Sequence, residues 1–437
     1  MKDKLVNNIL YSFLEKLFQI LSGFVSSFFI IRMLERESYG VIGIVAGFYA
    51  LVNIFNFSYE AIIVRDHKKF DDDELGHFLA FSLYKMIVLF FLSLVLAIGL
   101  SFQHSNFEFY YAVGSIFAVF SLDFLSAPIV LLATSRFRHD LVSKVSFLRY
   151  VLNVVLLGGL FYYPNLKYLF IKDIFVLFVV SVAWIIVLKK SLKVKTALVR
   201  QFIKFDTIKF YKNISDYSLW THLIACVTYF IYRADTIFLS FISPLRTIGN
   251  YNVALSCGNF ANIAPAILGF QNSVAISNVE DHLEIERVSS SFTRISIIAS
   301  ALMLAGLFFT GEFLLEIVTG QNDVSEIFFY TKCIVIGLLL VKSLASPMVS
   351  VIQMKGNVKE LFLKVNIPVF FITVITYSLS SIFYGARGVA IANIINSLVW
   401  IVLLYFEFNK MGFKLVLTSG YGDDLKKLCD VIRRKFC

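Results

Sequence analysis

Two opposite charges lie inside an apolar stretch that is long enough to cross a membrane. Residues 214–242 carry Arg233 and Asp235, two positions apart. Polar side chains recur along this stretch at the spacing of one helix face, and they are Ser218, His222, Tyr229, Arg233, Thr236 and Ser240. A charge costs free energy in hydrocarbon, so it is expected to face a bundle interior or a watery cavity. We interpret this face as the lining of a path for an anionic substrate; an Arg–Asp pair that only fixes packing is the alternative.

Further cations lie in other apolar stretches, and they suit a substrate that carries phosphate. They are Lys85, Arg149, Lys332 and Lys342. At about 1.5 Å of rise per residue, Lys342 falls near the membrane midplane and Arg233 in the outer third. Lysine meets phosphate as a point charge and arginine as a bidentate fork. Lys85 and Arg149 could instead extend toward the membrane surface without binding anything.

Carboxylates and amides complete the polar set of the apolar stretches, and they are Glu15, Glu60, Asp123, Asp235, Asn53 and Asn262. A carboxylate inside a helix bundle can bind and release a proton, so we predict Glu60 and Asp123 as proton carriers. Positions i and i+2 do not face each other on a helix. Asp235 is therefore predicted to point away from the stripe that carries Arg233, toward a neighbouring span or the interface between the two halves. Asn and Ser stripes often serve only to hold membrane helices together.

The sequence lacks a signature of catalysis, of a bound metal or of a cofactor. It contains no Walker A motif, no nucleophile elbow and no zinc-protease motif. The acidic run Asp71, Asp72, Asp73 and Glu74 fits a solvated loop better than a metal site. No Cys pair has the spacing of a metal or redox motif. We therefore predict a protein that is not an enzyme, with energy drawn from a proton or sodium gradient or from the substrate gradient.

Composition predicts an integral membrane protein. Of 437 residues, 58% are hydrophobic and 16% charged, and the mean hydropathy is +0.77. A membrane helix needs about 20 apolar residues. Twelve such stretches occur, at residues 9–31, 40–63, 78–100, 109–132, 147–163, 170–188, 214–242, 249–273, 295–318, 328–351, 366–383 and 388–408.

The distribution of basic residues predicts the orientation of these spans. With the N-terminus inside, 28 of the 40 Lys and Arg fall on the inner side and 5 on the outer side. Positive charge accumulates on the cytoplasmic side of membrane proteins. Both termini are thus predicted to be cytoplasmic. The net charge of +10 then faces anionic phospholipid headgroups, and no nucleic acid is expected as a partner.

The chain is predicted to consist of two halves. Residues 1–188 form an N-terminal six-helix half and residues 214–408 a C-terminal one. Residues 189–213 form a basic cytoplasmic linker between them, and residues 409–437 a basic cytoplasmic tail. Weak internal matches fall at equivalent places in both halves, which indicates a parallel repeat. Transport sites tend to lie where such halves meet.

The whole chain resembles a known transporter family. The stretches that carry the resemblance are IIRMLERESYGVIGIVAGFYALVNIF, RADTIFLSFISPLRTIGNYNVALSCGNFANI and YGARGVAIANIINSLVW. They resemble the O-antigen (Wzx-type) flippases of the multidrug/oligosaccharidyl-lipid/polysaccharide exporter superfamily. The resemblance implies an all-α polytopic membrane protein of the MATE-like fold, with 12 transmembrane helices in two six-helix halves around a central cavity.

The resemblance also implies a function. The substrate would be an undecaprenyl-pyrophosphate-linked oligosaccharide repeat, moved to the periplasmic leaflet by alternating access, with polysaccharide assembly proteins as possible partners. Arg233, Lys342 and Lys85 would be cavity cations, and Asp235 stands where the family has an acidic residue. The alternatives are a multidrug cation antiporter of the same fold, a peptidoglycan-precursor flippase, which usually has two further spans, and a polysaccharide polymerase of the same pathway, which should have a large external loop.

Overall fold

The structure is a computed structural model of the chain. It describes residues 2–52, residues 126–192 except 135 and 137, residues 216–262, and residues 279–426 except 425. Between residues 80 and 102 and between residues 265 and 276 it describes only part of the positions. The described residues fall into two compact units, Met1–His222 and Leu223–Cys437.

The first unit is a bundle of helices. Its long helices are α1 (Lys2–Met33), α2 (Arg36–Val52), α3 (His139–Leu157) and α4 (Leu166–Ile186). Further helical residues lie between 80 and 99 and at 126–134. A 3₁₀ turn, Gly158–Phe161, extends α3, and a π turn, Val187–Ser191, extends α4.

The core of the first unit lies where α3 packs on α4. Leu141, Val142 and Val145 of α3 meet Val180 and Trp184 of α4 in one buried apolar cluster. The other long side of α3 lies along α1. Helix α3 therefore has a central place in this unit, with neighbours on two sides.

Among the described residues, the second unit contains most of α5 (Asp216–Ile242) and the six further helices named next, with other helical residues between 265 and 276 and at 421–424. The six helices are α6 (Leu245–Ala261), α7 (His282–Thr319), α8 (Ser325–Leu340), α9 (Ser346–Lys355), α10 (Val358–Leu361) and α11 (Ile367–Lys410). Two π turns, Val341–Ala345 and Phe362–Asn366, join α8 to α9 and α10 to α11. Helix α8 packs against both α6 and α11, so it occupies the middle of this unit.

Two glycines allow α8 to lie close to its neighbours. A Cβ atom on Gly258 of α6 would stand 3.1 Å from Ile334 Cγ2, and one on Gly337 of α8 would stand 2.1 Å from Asn393 Oδ1. Small residues at such contacts are typical of membrane helices, which gain stability from close van der Waals packing.

Helix α11 is two helices that meet at Gly385. This residue has φ 55° and ψ −143°, a conformation that is essentially restricted to glycine. The turn falls between the predicted spans 366–383 and 388–408, so the structure agrees with two spans here.

The chain is an all-α, multi-pass membrane protein, as predicted. None of its described residues lies in a β-strand. Six helical runs among them are long and apolar enough to cross a membrane: His139–Phe161, Leu166–Ser191, His222–Ile242, His282–Thr319, Ser325–Lys355 and Val358–Lys410. Parts of the predicted second, third, fourth and eighth spans lie outside the described residues, so the number of twelve stays a prediction. Residues 193–213 of the predicted linker also lie outside them.

The helix that contains the predicted ninth span is longer than the span. The span is predicted over residues 295–318, whereas α7 begins at His282. Its first turns are polar, so an apolar window does not detect them. Their start has a helix signal of its own, because Asp281 accepts a hydrogen bond from the backbone nitrogen of Glu284 at 2.9 Å.

Candidate functional site

The polar face of α5 is only partly buried. His222, Thr236 and Ser240 are buried as predicted, whereas Tyr229 is 48% exposed and Arg233 is partly exposed. Among the α5 side chains that the structure describes, the most buried charged one is that of Asp235, which is 1% exposed. The buried charge of α5 is therefore the Asp235 carboxylate, and Asp235 is not a member of the predicted stripe.

Asp235 is held by three hydrogen bonds. The hydroxyl of Tyr251 on α6 donates to Oδ2 at 3.0 Å. The backbone nitrogen and the hydroxyl of Thr236 donate to Oδ1 at 2.6 Å and 3.1 Å. The prediction that Asp235 points toward a neighbouring helix is thus confirmed. Its carboxylate joins α5 to α6 inside the second unit.

A second carboxylate, that of Glu326, is connected to Tyr251 through the side chain of Tyr330. The Tyr251 ring lies 5.5 Å from the ring of Tyr330 on α8. Tyr330 donates to Glu326 Oε1 at 2.6 Å, and the Asn250 amide donates to Glu326 Oε2 at 2.9 Å. Glu326 was missed because it lies at the edge of a predicted outer loop, although Tyr330 follows at the i+4 spacing of one helix face.

Helix α11 adds buried polar atoms to this unit. Asn393 donates to the Tyr377 hydroxyl at 3.3 Å, and Thr376 donates to Asn396 Oδ1 at 2.7 Å. The Asn396 amide nitrogen and the Trp400 indole nitrogen are buried without a hydrogen-bond partner among the described residues. Buried polar groups are usually paired, so these two donors are exceptions among the described residues of this unit.

Lys342 lies in a π turn and beside α5. Its Nζ atom stands 5.7 Å from the centre of the Tyr232 ring, and Tyr232 precedes Arg233 in the chain. A single π turn inside an α-helix is often found at a functional site. The structure thus brings Lys342 next to the turn of α5 that carries Arg233.

The remaining predicted cations have local partners. Lys332 lies over the Phe328 ring at 4.4 Å, and Lys85 lies over the Phe81 ring at 5.7 Å. Lys85 is buried and Arg149 is partly exposed, and both belong to the first unit.

The other predicted polar residues are dispersed. Glu15 accepts a hydrogen bond from the Ser146 hydroxyl at 3.1 Å, which links α1 to α3. Asn262 is the residue at which α6 ends, and its buried Oδ1 lacks a partner among the described residues. Asn53, Glu60 and Asp123 lie outside the described residues, so their places stay predictions.

A buried lysine in the first unit was missed. Lys172 of α4 is 4% exposed. Its Nζ contacts Asn153 Oδ1 at 2.5 Å and Asp173 Oδ1 at 2.8 Å, and Asn153 donates to Ser26 Oγ at 3.2 Å. These contacts connect α1, α3 and α4. A lysine next to an aspartate inside a predicted span was the signal that could have identified it.

Groups of three or more His, Cys, Asp and Glu side chains that could hold a metal ion do not occur among the described residues.

Comparisons with known proteins identify the fold. No protein-family model matches the chain, and no curated protein matches its sequence. Among solved structures, an inward-facing multidrug resistance MATE family transporter of the MOP superfamily is similar over 90% of this chain and 95% of its own, with a TM-score of 0.64 and 13% identity. The lipid II flippase MurJ is similar over 92% and 87%, with a TM-score of 0.65 and 14% identity.

A third similar structure is a MOP superfamily transporter from Pyrococcus furiosus, whose binding pocket is described as having reverse polarity. It covers 94% of this chain and 97% of its own, with a TM-score of 0.52 and 12% identity. At such low identity the likeness shows the fold alone. The chain therefore has the MATE-like fold that transporters and flippases of the MOP superfamily share.

Proposed function

We propose that this protein is a flippase. Its substrate is an O-antigen or similar oligosaccharide repeat linked to undecaprenyl pyrophosphate, which it moves from the cytoplasmic to the periplasmic leaflet by alternating access. The observation that carries the proposal is the approach of Lys342 to the turn of α5 that holds Tyr232 and Arg233. Two cations from two neighbouring helical segments suit a pyrophosphate group.

The charge of the second unit favours an anion over a cationic drug. The membrane-buried carboxylate of this region, Asp235, already accepts hydrogen bonds from Tyr251 and Thr236. Lys342 and Arg233 remain as the groups that attract a ligand to this part of α5. The similarity to a structure described as a lipid II flippase supports a lipid-linked substrate in the same fold.

The protein is proposed to lie in the bacterial inner membrane, as the resemblance to the flippase family implies. Both termini are proposed to be cytoplasmic because of the strong bias of basic residues described above. Polysaccharide assembly proteins would be its partners, and a proton or sodium gradient would be its energy source. It would contain no catalytic centre.

A multidrug cation antiporter is the second candidate, because a MATE family transporter is among the similar structures. The two candidates differ in the charge of the substrate. Purified protein in liposomes should move a fluorescent undecaprenyl-pyrophosphate oligosaccharide, and it should not move an organic cation dye such as rhodamine 6G.

Substitutions of Lys342 and Arg233 test whether lipid flux depends on these two cations. Lys342→Met and Arg233→Met should each lower lipid flux at least about tenfold, because each removes a charge-assisted contact. Arg233→Lys should restore little of the flux if the contact is bidentate. Exchange of Arg433 and Arg434 in the tail for Ala is the control and should leave flux unchanged. Transport of the dye but not of the lipid would replace this proposal with the antiporter.

A further inference from the structure

The chain turns back after α11 and lies along the first turns of α7. The contacts involve residues 411–424, which we call the clasp. They reach His282, Glu286, Ser290 and Arg294, which are spaced by four and so lie on one face of α7. The polar N-terminal part of α7, which an apolar window does not detect, is thus the surface that the clasp covers.

A buried ion pair attaches the C-terminal end of the clasp to α7. Arg294 Nε donates to Asp424 Oδ2 at 2.6 Å, and the two residues are 7% and 4% exposed. Arg294 Nη1 also donates to the Val416 carbonyl at 2.6 Å, and Ser291 donates to Asp424 Oδ1 at 2.7 Å. Both charges are therefore compensated by specific partners away from water, which is the condition for a buried pair to persist.

An aromatic stack attaches the N-terminal end of the clasp to α7. The ring of Phe413 lies parallel to His282 at 4.1 Å and packs against Phe408 of α11 at 5.6 Å. Phe413 therefore touches the first turn of α7 and the last turn of α11 together. The Phe413 ring therefore connects α7 to the part of α11 that follows Gly385.

Between the ion pair and the aromatic stack, two backbone nitrogens of the clasp donate hydrogen bonds to side chains of α7. The Lys414 nitrogen donates to Glu286 Oε1 at 2.7 Å, and the Val416 nitrogen donates to Ser290 Oγ at 2.9 Å. Gly420 has φ 95°, and a Cβ atom there would stand 3.1 Å from Arg294 Cζ. Only glycine fits this left-handed position beside the guanidinium without strain. Side chains of α7 thus specify the path of the clasp.

We propose that the clasp stays closed throughout the transport cycle and makes the N-terminal end of α7 and the C-terminal end of α11 move as one body. Arg294 and Asp424 are positioning residues in this device and touch no substrate. The role in transport rests on the proposed function, whereas the closed state of the clasp does not.

Hydrogen exchange on the purified full-length protein tests the clasp without any transport assay. Two variants break it in different ways: Asp424→Asn removes the charge partner of Arg294, and Gly420→Ala strains the backbone beside it. Each should raise the exchange rates of amides 283–294 by about tenfold or more, because opening of the clasp exposes the polar turns of α7. The controls are their neighbours Asp423→Asn, at an exposed residue, and Gly422→Ala, at which a Cβ atom meets nothing within 4 Å.

A disulfide tests whether the clasp must open. Ser290→Cys with Val416→Cys, in a chain whose five native cysteines are serines, joins two positions at which Ser290 Oγ lies 2.9 Å from the Val416 backbone nitrogen. We expect equal lipid flux in the oxidised and reduced forms, and a lower flux in Asp424→Asn and Gly420→Ala than in their controls.

Two results would overturn the proposal. Unchanged exchange of amides 283–294 in both breaking variants would mean that the clasp does not hold α7. Loss of flux only on oxidation would mean that it opens during transport. If no variant and no native protein moves lipid, the proposed function fails, while the exchange result still decides whether the clasp exists.

Discussion

Tyr251 donates a hydrogen bond to Asp235 at 3.0 Å, across the interface between α6 and α5. Asp235 is 1% exposed, and the Tyr251 side chain is fully buried. A buried acceptor that loses its donor keeps its desolvation cost. The pair therefore makes the packing of these two helices depend on one phenol hydroxyl.

Tyr251→Phe should destabilise the protein by about 1–3 kcal/mol, because it leaves Asp235 Oδ2 without this donor while the ring still fills its place. Thermal unfolding in detergent measures the change. Tyr229→Phe is the control, since Tyr229 is 48% exposed, and it should unfold within about a degree of the native protein. Equal effects of both substitutions would show that the hydrogen bond adds no stability.

Lys172→Met should destabilise the first unit by about 1–3 kcal/mol, because Asn153 Oδ1 and Asp173 lose the ammonium that they contact. Lys167→Met, at an exposed position one turn earlier in α4, is the matched control. The measurement is chemical or thermal unfolding of both variants. A Lys172→Met protein as stable as its control would contradict a structural role for the buried lysine.

Gly385→Ala should destabilise the turn inside α11 by about 1–3 kcal/mol, because an L-residue is strained at φ 55°. Gly306→Ala in α7 gives the opposite expectation. Its Cβ would meet nothing within 4 Å, and Ala is favoured over Gly in a helix by about 0.5–1 kcal/mol. Unfolding temperatures that move in the same direction for both variants would contradict this assignment.

Asp323 should stabilise the start of α8 in a pH-dependent way. The hydroxyl and backbone nitrogen of Ser325 donate to its carboxylate, and these hydrogen bonds lower the pKa of Asp323. A lowered pKa means that the stabilisation is present above the unfolded value and is lost as the pH falls through the folded value. Asp323→Ala should therefore unfold at a lower temperature at neutral pH.

The difference from the native protein should shrink as the pH falls below about 4. Asn322→Ala, at the exposed preceding residue, should not change with pH in this way. A difference for Asp323→Ala that stays constant with pH would show that the carboxylate charge does not stabilise the helix start.

The sequence alone predicts much of this fold because hydrophobic runs and helix periodicity are local properties. The last two spans and the direction of Asp235 follow from them directly. The early start of α7 could not be found this way, since its polar turns are covered by residues 411–424, which are more than a hundred positions away. A contact between distant segments leaves no local pattern in hydropathy.

The polar residues show the same limit. Arg233 and Lys342 stand out as charges in apolar stretches. The approach of Lys342 to the Tyr232 ring involves a π turn that propensities do not predict. Glu326 was assigned to a loop because the span was predicted to begin two residues later. The hydrogen bond that it accepts from Asn250 becomes visible only when α6 and α8 are placed side by side.

We expect that Asp235 takes no direct part in coupling to an ion gradient. Asp235 is held by Tyr251 and Thr236, so we expect it to fix helix packing and not to carry the transported ion. Asp235→Asn should therefore lower stability and flux, while the remaining flux should keep its dependence on an imposed gradient. Glu60→Gln and Asp123→Asn should instead remove that dependence, because these residues are the predicted proton carriers.

Flux of a lipid-linked oligosaccharide into proteoliposomes measures this, with a proton gradient, with a sodium gradient, and with both collapsed by ionophores. Gradient dependence that disappears only in Asp235→Asn would assign coupling to the second unit and contradict the prediction. If collapse of both gradients leaves native flux unchanged, no ion is coupled. Consumption of the substrate on the periplasmic side would then drive transport, and Glu60 and Asp123 would have no role in energy supply.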